Sequence, residues 1–431
     1  MKRVLRAASI ALFALLLVAA VIVWLNLRGE APVHEQPFSA TPAQVERGAY
    51  LARAGNCAAC HTARGGAPYA GGRPIDTPFG LVYGSNLTPD KTTGIGTWSA
   101  DHFWRALHNG RSRDGRLLSP AFPYANFTQV TREDSDALFG YLRSLPAVAQ
   151  RNRPHELSFP LGTQAALAVW RALFFRPQPF VPDATRSAEF DRGAYLVQAL
   201  GHCSACHGAR NAFGAVRSAN DFEGGELPAH AGYAPSLTRR VEAGVADWRI
   251  DEVVALLKTG VSYTNEAQGS ALGPMAEVVF RSTQHLSDMD LRAMAVYLQA
   301  LPPSPPPKVR IRPTEPPQMR RGAEVYEARC ADCHGKAGEG AFAGEAGSGR
   351  RAVPPLAGNR AVTMHRADNA ILAVIRGGFP PATAGNPRPF GMPPLGQDLN
   401  DDEIAAVVTF IRNSWGNQAG AVRQHEVTRL R

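Results

Sequence analysis

The sequence predicts an all-α chain, with three small helical domains in tandem behind one membrane-spanning helix. Three observations predict it. All six cysteines fall into three copies of one pattern, Cys57-Ala58-Ala59-Cys60-His61, Cys203-Ser204-Ala205-Cys206-His207 and Cys330-Ala331-Asp332-Cys333-His334, separated by 146 and 127 residues. Each copy is flanked by segments whose apolar residues recur at helical spacing, as Ile404, Val407, Val408 and Ile411 do in the last. A nineteen-residue apolar run, Ala7 to Leu25, follows a basic N-terminus. A length of 431 residues also suits about three domains rather than one core.

Cys-x-x-Cys-His is the pattern of covalent c-type haem attachment. The cysteines Cys57, Cys60, Cys203, Cys206, Cys330 and Cys333 offer thiols for thioether bonds. The adjacent His61, His207 and His334 each offer an imidazole nitrogen to iron. A redox disulfide or half a zinc site is the competing reading of one such motif. Three copies that use every cysteine, each followed directly by histidine, argue for three covalent haem c groups instead. Attachment of this kind takes place outside the bacterial cytoplasm, which predicts a periplasmic location. The net charge of +9 suits either anionic headgroups and acidic partners or plain solubility.

The elements follow in order. Lys2, Arg3 and Arg6 precede the apolar run, which at 1.5 Å per residue nearly crosses a hydrocarbon core of roughly 30 Å. No small-x-small cleavage site follows it, and Trp24 suits a membrane interface, so residues 1–28 are expected to be an uncleaved anchor rather than a signal. The basic start keeps the N-terminus cytoplasmic and the rest outside the inner membrane. Residues 29–44 are a tether. Domains are expected at 45–150, 187–302 and 318–416. Each opens with a helix carrying glycine and an aromatic: Arg47-Gly48-Ala49-Tyr50, Arg192-Gly193-Ala194-Tyr195 and Arg321-Gly322-Ala323-Glu324-Val325-Tyr326. A second helix ends in glycine (Trp98 to Gly110, Trp248 to Gly260, His365 to Gly377), and a third closes each unit (Ala137–Leu145, Asp290–Leu301, Glu403–Trp415). Between the first two domains, 151–186 contains a bulky helix over Gln164–Phe175. It is expected to cover a domain interface or to dock on a partner or the membrane. The second linker, 303–317, lies in the proline-rich stretch Pro302–Pro317, which predicts an extended spacer and a more independent third domain.

Methionine is the usual sixth ligand opposite histidine in such sites and raises the potential. Met275 lies sixty-eight residues after His207 in Gly273-Pro274-Met275, and Met392 fifty-eight after His334 in Phe390-Gly391-Met392-Pro393-Pro394. Both are predicted iron ligands. Met289, Met294 and Met364 read as packing. The first domain has no methionine; Phe122 stands sixty-one residues after His61 and cannot bind iron. Either that haem is five-coordinate, or His102 or His108 reaches it.

The order of motifs resembles the three-haem cytochrome c subunit of membrane-bound bacterial dehydrogenases of the alcohol, aldehyde or gluconate type. The resemblance covers roughly residues 45–416. It rests on Thr77-Pro78-Phe79-Gly80, Ser85-Asn86-Leu87-Thr88-Pro89-Asp90, Thr93-Gly94-Ile95-Gly96, Gly201-His202-Cys203, Gly273 to Val279 and Asn413-Ser414-Trp415-Gly416. It implies three tandem class I cytochrome c domains, with His61, His207 and His334 as proximal ligands and Met275 and Met392 as distal ones. It implies electrons passing from a dehydrogenase catalytic subunit to ubiquinone or a terminal oxidase. Pro120-Ala121-Phe122-Pro123-Tyr124 and the inserted Arg153-Pro154-His155-Glu156-Leu157 are more similar to the cytochromes of molybdenum hydroxylases. The donor is thus a quinoprotein, a flavoprotein or a molybdenum hydroxylase.

Two other functions compete. One is a peroxidase-like enzyme using an open first haem, with His102, His108 and Arg105 as the available polar groups. The other is an independent electron shuttle, against which the anchor argues. Gly344-Glu345-Ala346-Gly347-Ser348-Gly349 follows no strand and is not a dinucleotide site; the run 335–349 reads as a loop at the haem edge. No Ser/His/Asp arrangement or phosphate loop is present, and nucleic acid is not an expected partner.

Overall fold

The computed structural model describes residues 2–28, 30–263, 268–308, 310–342 and 351–431. The glycine-rich run expected at the haem edge therefore lies outside the described residues from 343 onward. Helix α1 (Lys2–Leu27) has 26 residues, and none of its most apolar stretch is covered by the rest of the chain.

The helices of the first repeat are α2 (Pro42–Ala54), α3 (Cys57–His61), α4 (Ala100–Asn109), α5 (Tyr124–Phe127) and α6 (Arg132–Ser144), followed by the bulky α7 (Gln164–Phe174). The second repeat has α8 (Ala188–Tyr195), continued by one wide turn to Leu200, then α9 (Ser204–His207), α10 (Ile250–Thr259), α11 (Pro274–Arg281) and α12 (Asp288–Gln299). The third has α13 (Pro316–Arg329), α14 (Ala331–His334), α15 (Arg360–Thr363), α16 (Asp368–Arg376) and α17 (Asp401–Arg412), with α18 (Gln424–Thr428) after it. Thr41 and Ser99 start α2 and α4 with reciprocal capping boxes, and left-handed Gly110 and Gly260 stop α4 and α10 at the expected glycines. Short antiparallel strands also occur. β1 (Pro74–Thr77) pairs with β2 (Gly80–Tyr83), and the inserted segment adds β3 (Glu156–Leu157) to β2.

One tetrapeptide explains how the repeats are built and joined. In Arg47-Gly48-Ala49-Tyr50, Arg47 bonds Asp134 of α6 in its own repeat at 2.8 Å. Gly48 lets α2 and α6 touch: a Cβ there would lie 2.0 Å from the Ala137 carbonyl oxygen. Tyr50 reaches into the second repeat, donating to Asp290 at 2.6 Å and accepting from the Ser287 amide at 3.1 Å. Arg192-Gly193-Ala194-Tyr195 does the same in reverse. Arg192 bonds Asp290 at 2.8 Å, and a Cβ on Gly193 would meet the Ala293 oxygen at 2.0 Å. Tyr195 donates to Asp134 at 2.7 Å and accepts from the Thr131 amide at 3.2 Å. The two repeats are thus clasped by one contact used twice. In the third, Arg321 bonds Glu403 and Gly322 faces Ala406, but Glu324 stands where tyrosine would be.

Tyr50→Phe and Tyr195→Phe should each cost about 2 kcal/mol, the worth of a hydrogen bond to a charged group, measured by denaturant unfolding. Burial opposes the Asp290 charge, but Arg192 and Tyr50 outweigh it and hold this carboxyl below its ordinary value. Its contribution to stability is present above the ordinary carboxylate range and lost as pH falls through the lowered value.

Packing follows the same division. Leu51, Phe103, Leu138 and Phe139 of the first repeat share one core with Leu196, Val197, Val253 and Leu291 of the second. The third repeat has its own core, around Val325, Ile371, Ile404 and Val407. It meets the second through polar contacts: Arg360 on Asp247 at 2.5 Å, two bonds between Asn369 and the Tyr233 backbone, and Arg366 and Arg429 on Glu226. The proline stretch is not free. Ser304 bonds Thr238, Arg239 holds the Pro305 carbonyl, and Arg312 pairs with Glu426. Pro316 and Pro317 are not spacer, because they open α13, where a missing amide costs nothing. Beyond Gly416 the chain folds back, and Val422, Val427 and Leu430 complete the third core.

Candidate haem-attachment sites

All three motifs sit on short helices and are built alike. The His61 Nδ1 lies 2.7 Å from the Ser85 carbonyl oxygen, His207 Nδ1 2.7 Å from that of Pro235, and His334 Nδ1 3.2 Å from that of Pro354. A glycine with positive φ closes each site by donating its amide to the histidine carbonyl: Gly71 to His61 at 2.8 Å, Gly224 to His207 at 2.7 Å and Gly340 to His334 at 2.8 Å. A side chain would be strained there. Carbonyl bonds at Nδ1 fix the tautomer and leave Nε2 with its lone pair for a metal. Burial lowers the basicity of all three imidazoles, against the opposing carbonyl bonds, so each stays neutral.

The six cysteines are unpaired. Burial pushes Cys57 and Cys203 up to about 12 and Cys330 up to about 11, which disfavours the thiolate that redox exchange or zinc would need. Among the described residues no group of three or more His, Cys, Asp or Glu is placed to hold a metal ion by itself. The residues fit a porphyrin better. Trp248 Nε1 is buried without a partner, a donor suited to a propionate carboxylate.

Met275 lies half-buried in the first turn of α11, packed against the shared core. Met392 lies half-buried against the third core, its backbone paired with Gly378 at 2.8 and 3.0 Å. Met294 and Met364 are buried packing residues as expected; Met289 is not, being 80% exposed on the outer face of α12. In the first repeat Phe122 packs on Phe127, with ring centroids 5.2 Å apart. His102 caps α4, its Nδ1 2.9 Å from Ser99 Oγ, and His108 stacks on Trp104 at 4.6 Å. The His102 ring nitrogen is thus engaged at the start of its own helix, whereas His108 Nδ1 is buried without a hydrogen-bond partner. The inserted segment supports the His61 loop: Tyr83 bonds Glu156 at 2.8 Å under the Arg153 guanidinium.

Contacts across the pair were not anticipated from the sequence. Asn126 of α5 donates to the Gln198 carbonyl at 2.7 Å and to Ser204 Oγ, inside the second motif, at 2.9 Å. Arg73 beside the first motif pairs with Glu277 of α11. His202 packs edge-on against Phe127 at 5.3 Å. The signal for the clasp was present in Arg-Gly-Ala-Tyr and in Thr131-x-x-Asp134 and Ser287-x-x-Asp290, helix starts that also supply the acceptor.

Helices around Cys-x-x-Cys-His, with histidine held through Nδ1, define a cytochrome c. The cytochrome c family profile matches residues 45–146 and 319–415. The chain is 37% identical over 416 residues to the cytochrome c subunit of a quinone alcohol dehydrogenase from Gluconacetobacter polyoxogenes, covering 92% of this chain and 86% of that one. It is 38% identical over 411 residues to the gluconate 2-dehydrogenase cytochrome c subunit of Pantoea cypripedii, covering 91% and 90%. It is 32% identical over 434 residues to the fructose dehydrogenase cytochrome subunit of Gluconobacter japonicus, covering 94% and 86%. This chain belongs to the family of cytochrome c subunits of bacterial dehydrogenases, a family whose cofactor is covalently bound haem c.

Proposed function

We propose that the chain is a membrane-anchored carrier with three haem c groups, taking electrons from a dehydrogenase catalytic subunit and delivering them to ubiquinone or a terminal oxidase. The observation that carries this reading is the threefold recurrence of one site: cysteine pair, histidine with Nδ1 on a carbonyl, glycine amide on the histidine carbonyl. Cys57 and Cys60, Cys203 and Cys206, and Cys330 and Cys333 would hold the porphyrins by thioether bonds. His61, His207 and His334 would bind iron, joined by Met275 and Met392 in the second and third repeats. The bound haem supplies a one-electron couple. The protein's own part is to keep each histidine neutral and aimed, to exclude water with the shared core, and to hold two sites together through Tyr50 and Tyr195. Helix α1 would place the carrier on the periplasmic face of the inner membrane, since Lys2, Arg3 and Arg6 lie at its start.

The relatives serve dehydrogenases of different substrates, so the donor is the quantity to measure. Gentle solubilisation of native membranes, isolation of this chain and mass spectrometry of what accompanies it is the test. Co-purification of a quinoprotein, flavoprotein or molybdenum subunit is the expected result. A chain recovered alone, yet reduced by soluble periplasmic donors, would replace this reading by an independent shuttle.

A further inference from the structure

Helix α7 is apolar on its outer side as well as its inner one. It carries no acid, and its single charge, Arg171, is buried together with Leu167. On the outer side Val169 is 44% exposed and Leu173 66%, four residues apart and so on one stripe. A helix face turned to water normally carries polar residues; this one does not.

The end of α1 is seated on the same helix. Asn26 is buried and donates to the Ala168 carbonyl at 2.9 Å, while Arg171 donates to Asn26 Oδ1 at 2.9 Å and to the Asn109 carbonyl at 2.6 Å. Glu30 meets Arg111 at 2.9 Å and Arg105 at 3.5 Å. These contacts fix α7 at the level of the last turn of α1, where its apolar run ends and Trp24 is exposed. Cations flank α7 at both ends. Arg113 and Arg116, the latter paired with Asp114 at 3.2 Å, lie on the turn whose Leu117 backbone is bonded twice to Gln164, at 2.7 and 3.1 Å, and Arg176 follows the C-terminus.

We propose that α7 is a second membrane contact, lying in the plane of the periplasmic surface. Val169 and Leu173 enter the boundary between headgroups and acyl chains, and Arg113, Arg116 and Arg176 face anionic phospholipid headgroups. The helix is bonded through Asn26 directly to the end of the apolar α1, so the occupant is lipid. The polar lock of Asn26, Arg171 and Glu30 then fixes the tilt of the first repeat against the bilayer. The proposal rests on α1 remaining attached as an anchor.

The test uses the full haem-loaded chain with Leu173→Cys, whose new thiol is the one not committed to haem, carrying a nitroxide label. Met289→Cys on exposed α12 is the aqueous control. In vesicles of phosphatidylethanolamine and phosphatidylglycerol, the label at 173 should lose its broadening by a water-soluble nickel chelate and keep its broadening by oxygen; the label at 289 should keep both. Equal chelate broadening at both positions, in protein that floats with the vesicles, overturns the proposal and leaves the anchor standing. Protection at 173 that appears only when a co-purified catalytic subunit is added also overturns it and assigns the face to protein. Protein that fails to float, or whose N-terminus begins beyond residue 28, overturns the anchor and the proposal together.

Discussion

Phe122→Met is expected to abolish carbon monoxide binding by the reduced protein. If the chain carries three haems as proposed, the wild type should bind it at one of them. The reason is the distribution of thioethers. Met275 lies in the first turn of α11 in the second repeat and Met392 in the loop between α16 and α17 in the third, whereas residues 45–150 contain no methionine. Of the two histidines that could substitute, His102 is held in the α4 cap, while His108 stacks on Trp104 with its Nδ1 buried and unpartnered. Phe122 lies between Pro120 and Pro123, and its ring rests on Phe127. Methionine is flexible and of similar bulk, so the loop should accept it. The same substitution should raise the potential of the first haem by on the order of 0.1 V, a modest part of the roughly 0.8 V over which axial ligands act. A carbon monoxide difference spectrum and a spectroscopic redox titration read the two effects. A wild-type protein with no carbon monoxide complex would mean that another group closes the sixth position.

Gly48→Ala and Gly193→Ala should each abolish stable assembly of the first two repeats. In both, the new methyl would stand 2.0 Å from a carbonyl oxygen of the facing helix, so backbone rather than a side-chain tip must move. Overpacking of this kind costs about 3 kcal/mol or more. Because these repeats share one core, damage to either should cost both haems. Gly322→Ala meets Ala406 at 2.3 Å and should cost only the third, which has a core of its own. Haem content per chain after purification gives the readout: one haem left in the first two variants, two in the last. Loss of a single haem in Gly48→Ala would show that the repeats fold separately.

The helices were legible because their signals are local. Glycine stops and the period of apolar residues mark the helices of the repeats, and the bulky helix after the first repeat falls at Gln164–Phe174 against an expected Gln164–Phe175. The motif histidines were legible from adjacency to the cysteines. The carbonyls that orient them were not, since Ser85, Pro235 and Pro354 lie 20 to 28 residues away in loops with no periodicity. The clasp was hidden for a related reason. Tyr50 reads as one more aromatic of a first helix, and only the folded pair brings it to Asp290, 240 residues on. Met289 reads as packing, yet is exposed, because one residue of helical phase separates the buried face of α12 from its outer one. The stretch after Gly416 lacks a strong helical pattern, so nothing in its spacing joins it to the third repeat. It is fixed by packing of Val422, Val427 and Leu430, not by propensity.

The reciprocal tyrosines have a consequence for direction. Two identical units joined by a twofold contact must hold identical groups, and an electron shared between them has no favoured side. Carrying the two halves on one chain keeps the contact while lifting that equality. One half can present Phe122 and the other Met275 without disturbing Tyr50, Asp290, Tyr195 or Asp134. A symmetric frame thereby supports an uneven pair, and unevenness is what gives a relay a downhill sense.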